Sequence, residues 1–302
     1  ANEGMKLGQD ALRRATQPGL TCAVNWNNFV SWSYRASPGQ AIANNTNTGP
    51  DAAMASLAWL DFGRKKCAMP FSEDWFGDTA ANTWTWYADV LRCSAMLGEG
   101  QFGAYTIGCC LGGHPEGASY KIFSLLSRGA KMVDVYTFGP EYFFPGNCWS
   151  ERLNMYGPLA RALGLLGRSE EMLFPAKPAR GEAAILLPGL SSLWETNSAM
   201  PLYEDNSAGL HRALTHAGYP VDAIDETDLE DGSAAKRGYK AIYACGPNAA
   251  RAAAARLADW VKAGGVLVLS PGALTADSYN EPNDLFGPAA GGARSALRDR
   301  ET

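Results

Sequence analysis

The sequence predicts an α/β protein built from two successive parallel sheets. Three observations carry that reading. Between Leu20 and Pro140, short apolar segments, polar turns and helical stretches alternate, the order that parallel strands joined by helical crossovers require. The segment Phe174–Gly181 then holds two prolines, a glycine and no periodicity, which marks a linker. A second alternation opens at Ala183 and closes at Ser270.

In chain order, Leu20–Val24 is a short apolar strand running into the polar cluster Asn25–Asn28. Asp51–Phe62 carries Met54, Leu57 and Ala58 at helical spacing, and Lys65–Phe71 reads as the next strand, leading into Ser72–Asp78. A helix over Thr83–Leu97 lines up Trp86, Val90, Ser94 and Leu97, with Gly98 as its stop. Phe102–Ile107 is a strand followed by the glycine-rich stretch Gly108–Gly113. Ser119–Arg128 is a helix, and the strand Lys131–Phe138 ends in Gly139-Pro140-Glu141.

Four strand–helix units cannot close an eight-stranded cylinder. The expectation for 1–173 is therefore the late part of a (β/α)8 TIM barrel, with roughly its first half lying before Ala1. Loops at the C-terminal ends of barrel strands carry function, which gives Asn25, Glu73, Cys109 and Glu141 a common rim.

An aromatic loop (Tyr142, Phe143, Phe144, Trp149) leads to a helix from Ser150 to Leu166 with Leu153, Tyr156, Leu159, Leu163 and Leu166 on one face. The second domain, 182–302, offers strands at Ala183–Leu187, Tyr219–Ile224, Tyr239–Ala244 and Val266–Ser270. Its helices fall at Tyr203–Ala217 and Ala249–Ala263, the latter ending at Gly264-Gly265. This β-α-β-β-α-β order reads as an open, doubly wound sheet of the flavodoxin type. The tail beyond Pro271 has no convincing core and reads as truncated.

Composition narrows the function. The chain has 302 residues, 46% hydrophobic and 19% charged, which suits a globular protein with a sizeable core. A formal charge of −5 and scattered basic residues argue against nucleic-acid or anionic-membrane partners. No apolar run is long enough to span a bilayer. The N-terminus lacks the basic and apolar regions of a signal peptide, which leaves the compartment open between the cytoplasm and export after loss of a leader. Seven cysteines without a CxxC pair argue against a disulfide framework or a zinc site, and no other metal or cofactor is implied. Aromatics make up 11%, and most of the tryptophans precede Ser150. Such rings can stack on sugar faces or simply fill a core.

Two stretches carry a family resemblance. Lys121-Ile-Phe-Ser-Leu-Leu-Ser-Arg-Gly-Ala-Lys-Met-Val-Asp-Val-Tyr-Thr-Phe-Gly-Pro140 resembles the last helix and strand of the family 42 β-galactosidase barrel, and Ala88–Arg92 is similar to the helix before its seventh strand. Ala183–Gly272, with Ser191-Ser-Leu-Trp194 and Asp259-Trp-Val-Lys-Ala-Gly-Gly265, is similar to the family's second domain. The resemblance implies a class I glutamine-amidotransferase-like fold for that domain, a part in building a homotrimer, and a β-linked oligosaccharide or glycoside as substrate.

Retaining glycosidases of this kind use two glutamates about 5–5.5 Å apart, one protonating the leaving oxygen and one attacking the sugar. The resemblance places the acid/base after the fourth barrel strand, upstream of Ala1, and the nucleophile after the seventh. Here that strand ends in Thr106, Gly108 and Cys109, so the nucleophile position is not matched. The remaining catalytic candidates are Glu73, flanked by Trp75 and Phe76, whose apolar walls would raise its pKa as a general acid needs, and Glu141. The bland readings are helix capping for Glu73 and ordinary loop chemistry for Glu141. Asn25, Asn27 and Asp74 are candidates for sugar hydroxyls, and Trp75, Tyr136 and Trp149 for sugar platforms.

The expected activity is hydrolysis of O-glycosyl bonds of β-linked sugars. The alternative is a carbohydrate-binding or structural barrel that has lost the catalytic pair. Cysteine chemistry is disfavoured. Cys109-Cys110 beside His114 lacks a third member, and Val266–Gly272 offers no Cys at a strand-to-helix elbow. Cys245 lies at the end of the preceding strand, and His211 and His216 read as surface or packing residues.

Overall fold

A computed structural model describes residues 2–16, 23–25, 59–72, 81–107, 116–136, 153–194 and 202–287. The chain divides into two compact units, 1–48 with 58–179, and 49–57 with 180–302. Both are α/β with parallel sheets.

In the first unit, helix α1 (Asn2–Ala15) precedes strand β1 (Ala23–Asn25). Residues 59–64 are helical. Strand β2 (Met69–Ser72), helix α2 (Ala81–Leu97), strand β3 (Gly103–Ile107), helix α3 (Gly117–Ser127) and strand β4 (Met132–Tyr136) follow. A 3-10 turn (Leu153–Met155) leads into helix α4 (Tyr156–Leu173). The sheet order is β1-β2-β3-β4, all parallel, so consecutive strands are neighbours.

The expected strand over Lys65–Phe71 is shorter at its start and runs instead over Met69–Ser72. Residues 63–67 close the preceding helix, with Lys66 at φ 50 and the Lys66 and Cys67 N–H groups donating to Gly63 and Phe62 carbonyls. Helix α2 does not show the single stripe its periodicity predicted, because it is buried nearly all round from Trp84 to Ala95. Its polar residues are paired within the packing. Arg92 Nε donates to Asp89 Oδ1 at 2.7 Å, Arg128 reaches Asp89 Oδ2 at 3.2 Å, and the Ser94 hydroxyl donates to the Trp59 carbonyl. The last helix starts and ends later than its apolar stripe suggested. Lys131 Nζ donates to the Leu173 and Ala176 carbonyls at 2.7 Å, satisfying groups that a helix C-terminus leaves open, and burial lowers the Lys131 pKa.

Helix α1 has no counterpart among the sequence expectations. Leu7 and Leu12 are exposed, and the less exposed side carries Lys6, Gln9, Asp10 and Arg13, with Lys6 and Asp10 paired at 3.1 Å.

The second unit contains strand β5 (Ala183–Leu186), helices α5 (Gly189–Trp194) and α6 (Leu202–His216), strand β6 (Val221–Ile224), helices α7 (Glu226–Glu230) and α8 (Ser233–Lys236), strand β7 (Ala241–Ala244), helix α9 (Arg251–Lys262) and strand β8 (Val266–Leu269). The order is β6-β5-β7-β8, all parallel. Two consecutive strands without a helix between them were expected, but α7 and α8 fill that connection. A capping box starts α7: Asp225 Oδ1 accepts from the Asp228 N–H at 3.1 Å and Asp228 Oδ2 from the Asp225 N–H at 3.2 Å. Gly232, at φ 74, turns the chain into α8. Strands β5 and β6 are buried on both faces, and on one of those faces Leu186, Ile224, Ile242 and Leu257 are buried together. Strand β6 starts two residues later than expected, because the Tyr219 N–H still closes α6 on the Leu214 carbonyl. No described helix is long and apolar enough to cross a membrane.

Candidate functional site

Parallel pairing puts the C-terminal ends of β1 to β4 along one edge of the first sheet. Asn25 pairs with Phe71, Ser72 with Ala104, and Ile107 with Tyr136. Each segment expected to carry chemistry follows one of these ends. Of the candidate residues, Asn25 and Tyr136 are thus placed at the strand ends as backbone positions. Asn27, Glu73, Asp74, Trp75, Glu141 and Trp149 lie outside the described residues, as do Cys109, Cys110 and His114.

Register divides the sheet into two faces. Val133 and Val135 pack against Ile122 and Leu159, so that face meets the helices. Their register partners Ala104 and Thr106 share it, and both are fully buried. The opposite face carries Phe71, Gly103, Tyr105, Met132 and Asp134. The Phe71 and Tyr105 rings meet edge to face at 4.8 Å, and Asp134 is the register partner of Tyr105. This face is turned away from the packed helices.

Two consequences follow. Thr106 is turned toward the helices, where its Oγ1 is buried with no hydrogen-bond partner. It therefore cannot stand in for a carboxylate on the opposite face. Asp134 and Tyr105, absent from the sequence candidates, belong to that opposite face. A lone acid among apolar alternations in Met132–Tyr136 was the available signal for Asp134.

In the second unit, an open parallel sheet binds ligands outside the strand C-termini where the order reverses, here between β5 and β7. That crevice is filled from within. Ser191 Oγ accepts from the Asn248 N–H at 2.9 Å, and Asn248 Nδ2 donates to the Asp277 carbonyl at 3.1 Å and to Asn280 Oδ1 at 3.0 Å. A side chain on Gly246 would overlap Ser191. Cys245 is buried beside α6, its Sγ 2.9 Å from Ser207 Oγ and 3.3 Å from the Tyr203 carbonyl. His211, read from sequence as surface or packing, is fully buried. Glu226, just beyond β6, is the perturbed acid of this edge. Burial pushes its carboxyl up to about 7, Glu230 and Asp225 push the same way, and the Ala250 N–H it accepts at 3.0 Å opposes them. No metal-holding group of His, Cys, Asp and Glu occurs among the described residues.

No family model matches the sequence, and no curated protein matches it. Solved structures do match in fold. A β-galactosidase from Bacillus circulans sp. alkalophilus aligns with a TM-score of 0.68 at 13% identity, over 93% of this chain and 40% of that one. A β-galactosidase from Rahnella sp. R3 gives 0.59 at 15% identity, over 93% and 42%. Gan42B, described as a GH42 β-galactosidase, gives 0.55 at 15% identity, over 74% and 36%. The chain thus has a fold like that of these enzymes and spans about two fifths of the length of the first of them.

Proposed function

We propose that the chain is part of a glycoside hydrolase that cleaves O-glycosyl bonds of β-linked sugars in the manner of a β-galactosidase. The observation that carries this reading is the first sheet. Four parallel strands stand in chain order, as in one side of a (β/α)8 barrel, and the segments holding Glu73 and Glu141 leave the same edge. The fold likeness to β-galactosidases supports it.

In this reading Glu73, close in sequence to Trp75 and Phe76, protonates the leaving oxygen, and Glu141 supplies a carboxylate. Asn25, Asn27 and Asp74 hold sugar hydroxyls, and Trp75, Tyr136 and Trp149 offer ring faces, joined by Tyr105 and Asp134 on the face turned away from the helices. The second unit serves as a flavodoxin-like, amidotransferase-like scaffold of a homotrimer. Its β6-β5-β7-β8 order and filled crevice both support a non-catalytic role.

The test is hydrolysis of p-nitrophenyl β-D-galactopyranoside by the protein and by Glu73→Gln, with galactose affinity measured in parallel. General acid–base catalysis predicts a loss of roughly 10²–10⁴-fold in turnover with affinity retained. Undiminished turnover in the variant refutes the role of Glu73. One observation favours a second reading, a carbohydrate-binding barrel without catalysis: β3 offers the rim no carboxylate, and Thr106 faces the helices. Galactose binding in both proteins with no turnover in either would establish that reading.

A further inference from the structure

A cavity of about 390 Å³ lies in the first unit at the N-terminal ends of β2 and β3, within the size range of small-molecule sites. Its wall is drawn from separate elements. Arg13 comes from α1, Lys66 from the turn after 59–64, Ser94 from α2, Met69 and Pro70 from the start of β2, and Gln101 from the approach to β3. The charged residues of this wall are both cations.

We propose that this cavity binds a small molecule carrying one phosphate or carboxylate group on a compact body, at a site separate from the strand C-terminal rim. The two cations are available to an anion. Arg13 stands 3.7 Å from its Asp10 partner, beyond good hydrogen-bond distance, so its planar fork of donors can still take an oxyanion. Lys66 holds Glu99 at 2.7 Å, but both side chains are more than half exposed, and such surface pairs exchange readily. Met69, Pro70 and the alanines Ala68 and Ala95 provide the apolar wall for the body of the ligand.

Backbone conformation gives independent support. Lys66 and Glu99 both adopt left-handed conformations, at φ 50 and 57, in turns where glycine would be the unstrained choice. Lysine at the first position sets an ammonium in the cavity wall at a conformational cost, the kind of outlier that clusters at binding sites. The site lies at the opposite end of the strands from the segments that hold Glu73 and Glu141, so a ligand here acts as an effector and not as the sugar under attack. The anion site does not depend on the glycosidase reading; only the choice of galactose as the body of the probe rests on it.

The test is calorimetric titration at constant ionic strength with galactose 6-phosphate, inorganic phosphate and galactose. Both phosphates are expected to bind saturably, and galactose 6-phosphate more tightly than inorganic phosphate. The Arg13→Ala/Lys66→Ala double variant should weaken binding by roughly tenfold or more, given what charge-assisted hydrogen bonds contribute. Lys65→Ala, one residue away and paired with Asp61, should leave it unchanged. Glu99→Gln should tighten it severalfold by releasing Lys66. Absence of saturable phosphate binding overturns the proposal. So does equal binding by the double variant, equal weakening in Lys65→Ala, or no tightening in Glu99→Gln.

Discussion

Replacing Thr106 with valine should stabilise the first unit, and the expectation follows from one atom. Thr106 is fully buried, and its Oγ1 has no hydrogen-bond partner. Its register partner Val135 and its strand neighbours on that face direct it at the apolar layer that Ile122 and Leu159 help to form. A buried hydroxyl without a partner costs about 1–3 kcal/mol. Valine keeps the branched shape, which suits a strand, and replaces the hydroxyl with a methyl. A gain of about 1–2 kcal/mol is expected, or a rise in Tm of about 2–4 °C per kcal/mol for a domain of this size. Thr106→Ser makes the converse change, keeping the hydroxyl and losing a methyl, and should cost about 1 kcal/mol. Urea unfolding of the three proteins, followed by tryptophan fluorescence, measures both. If valine is no more stable than threonine, the hydroxyl is satisfied in solution and the assignment of Thr106 to a dry helix-facing layer is wrong.

Other perturbations read other parts of the molecule. Asp89→Asn removes the buried carboxylate charge that Arg92 meets at 2.7 Å and Arg128 at 3.2 Å and should cost about 3–5 kcal/mol by urea unfolding. Gly103→Ala would set a Cβ 2.7 Å from the Met132 carbonyl oxygen and 3.0 Å from Phe71 Cδ2, and should cost about 1–3 kcal/mol in the same assay. Glu226 has a folded pKa raised from 4.5 to about 7, so its contribution is full below pH 4.5 and is lost as pH rises through 7. Stability should fall by at most about 3 kcal/mol across that window, and urea midpoints of Glu226→Gln at pH 5 to 8 should lack this fall. Finally, the proposed β-galactosidase-like reaction should release the retained anomer as the first-formed sugar by NMR, and the inverted anomer would refute a retaining mechanism.

Much of the fold is legible because parallel strands buried on both faces leave short apolar runs, such as Ala183–Leu186 and Val221–Ile224. Their boundaries are less so, since helix ends consume residues that look strand-like. Lys65 to Cys67 and Tyr219 belong to closing turns whose hydrogen bonds depend on the finished helix. Helix α1 escapes notice because its leucines point outward and polar groups meet the body, reversing the pattern that periodicity detects. Helices α7 and α8 were within reach, since Asp225 and Asp228 at capping-box spacing followed by Gly232 signal them. For the site, sequence locates the strand ends but not the two faces. Only register shows that Thr106 and Asp134, on adjacent strands, belong to opposite sides of the sheet.

That division constrains the chemistry. Glu73 follows β2 and Glu141 follows β4, and β3 stands between those strands. At about 4.8 Å per strand, the two strand ends lie roughly 9–10 Å apart. Strand spacing alone therefore does not bring the two strand ends within the roughly 5–5.5 Å that a nucleophile and its acid require. The intervening strand could have narrowed the gap with a carboxylate of its own, but Thr106 turns toward the helices and none of residues 103–107 is acidic. Within this chain, a close catalytic pair would require the segments after β2 and β4 to converge across the end of β3.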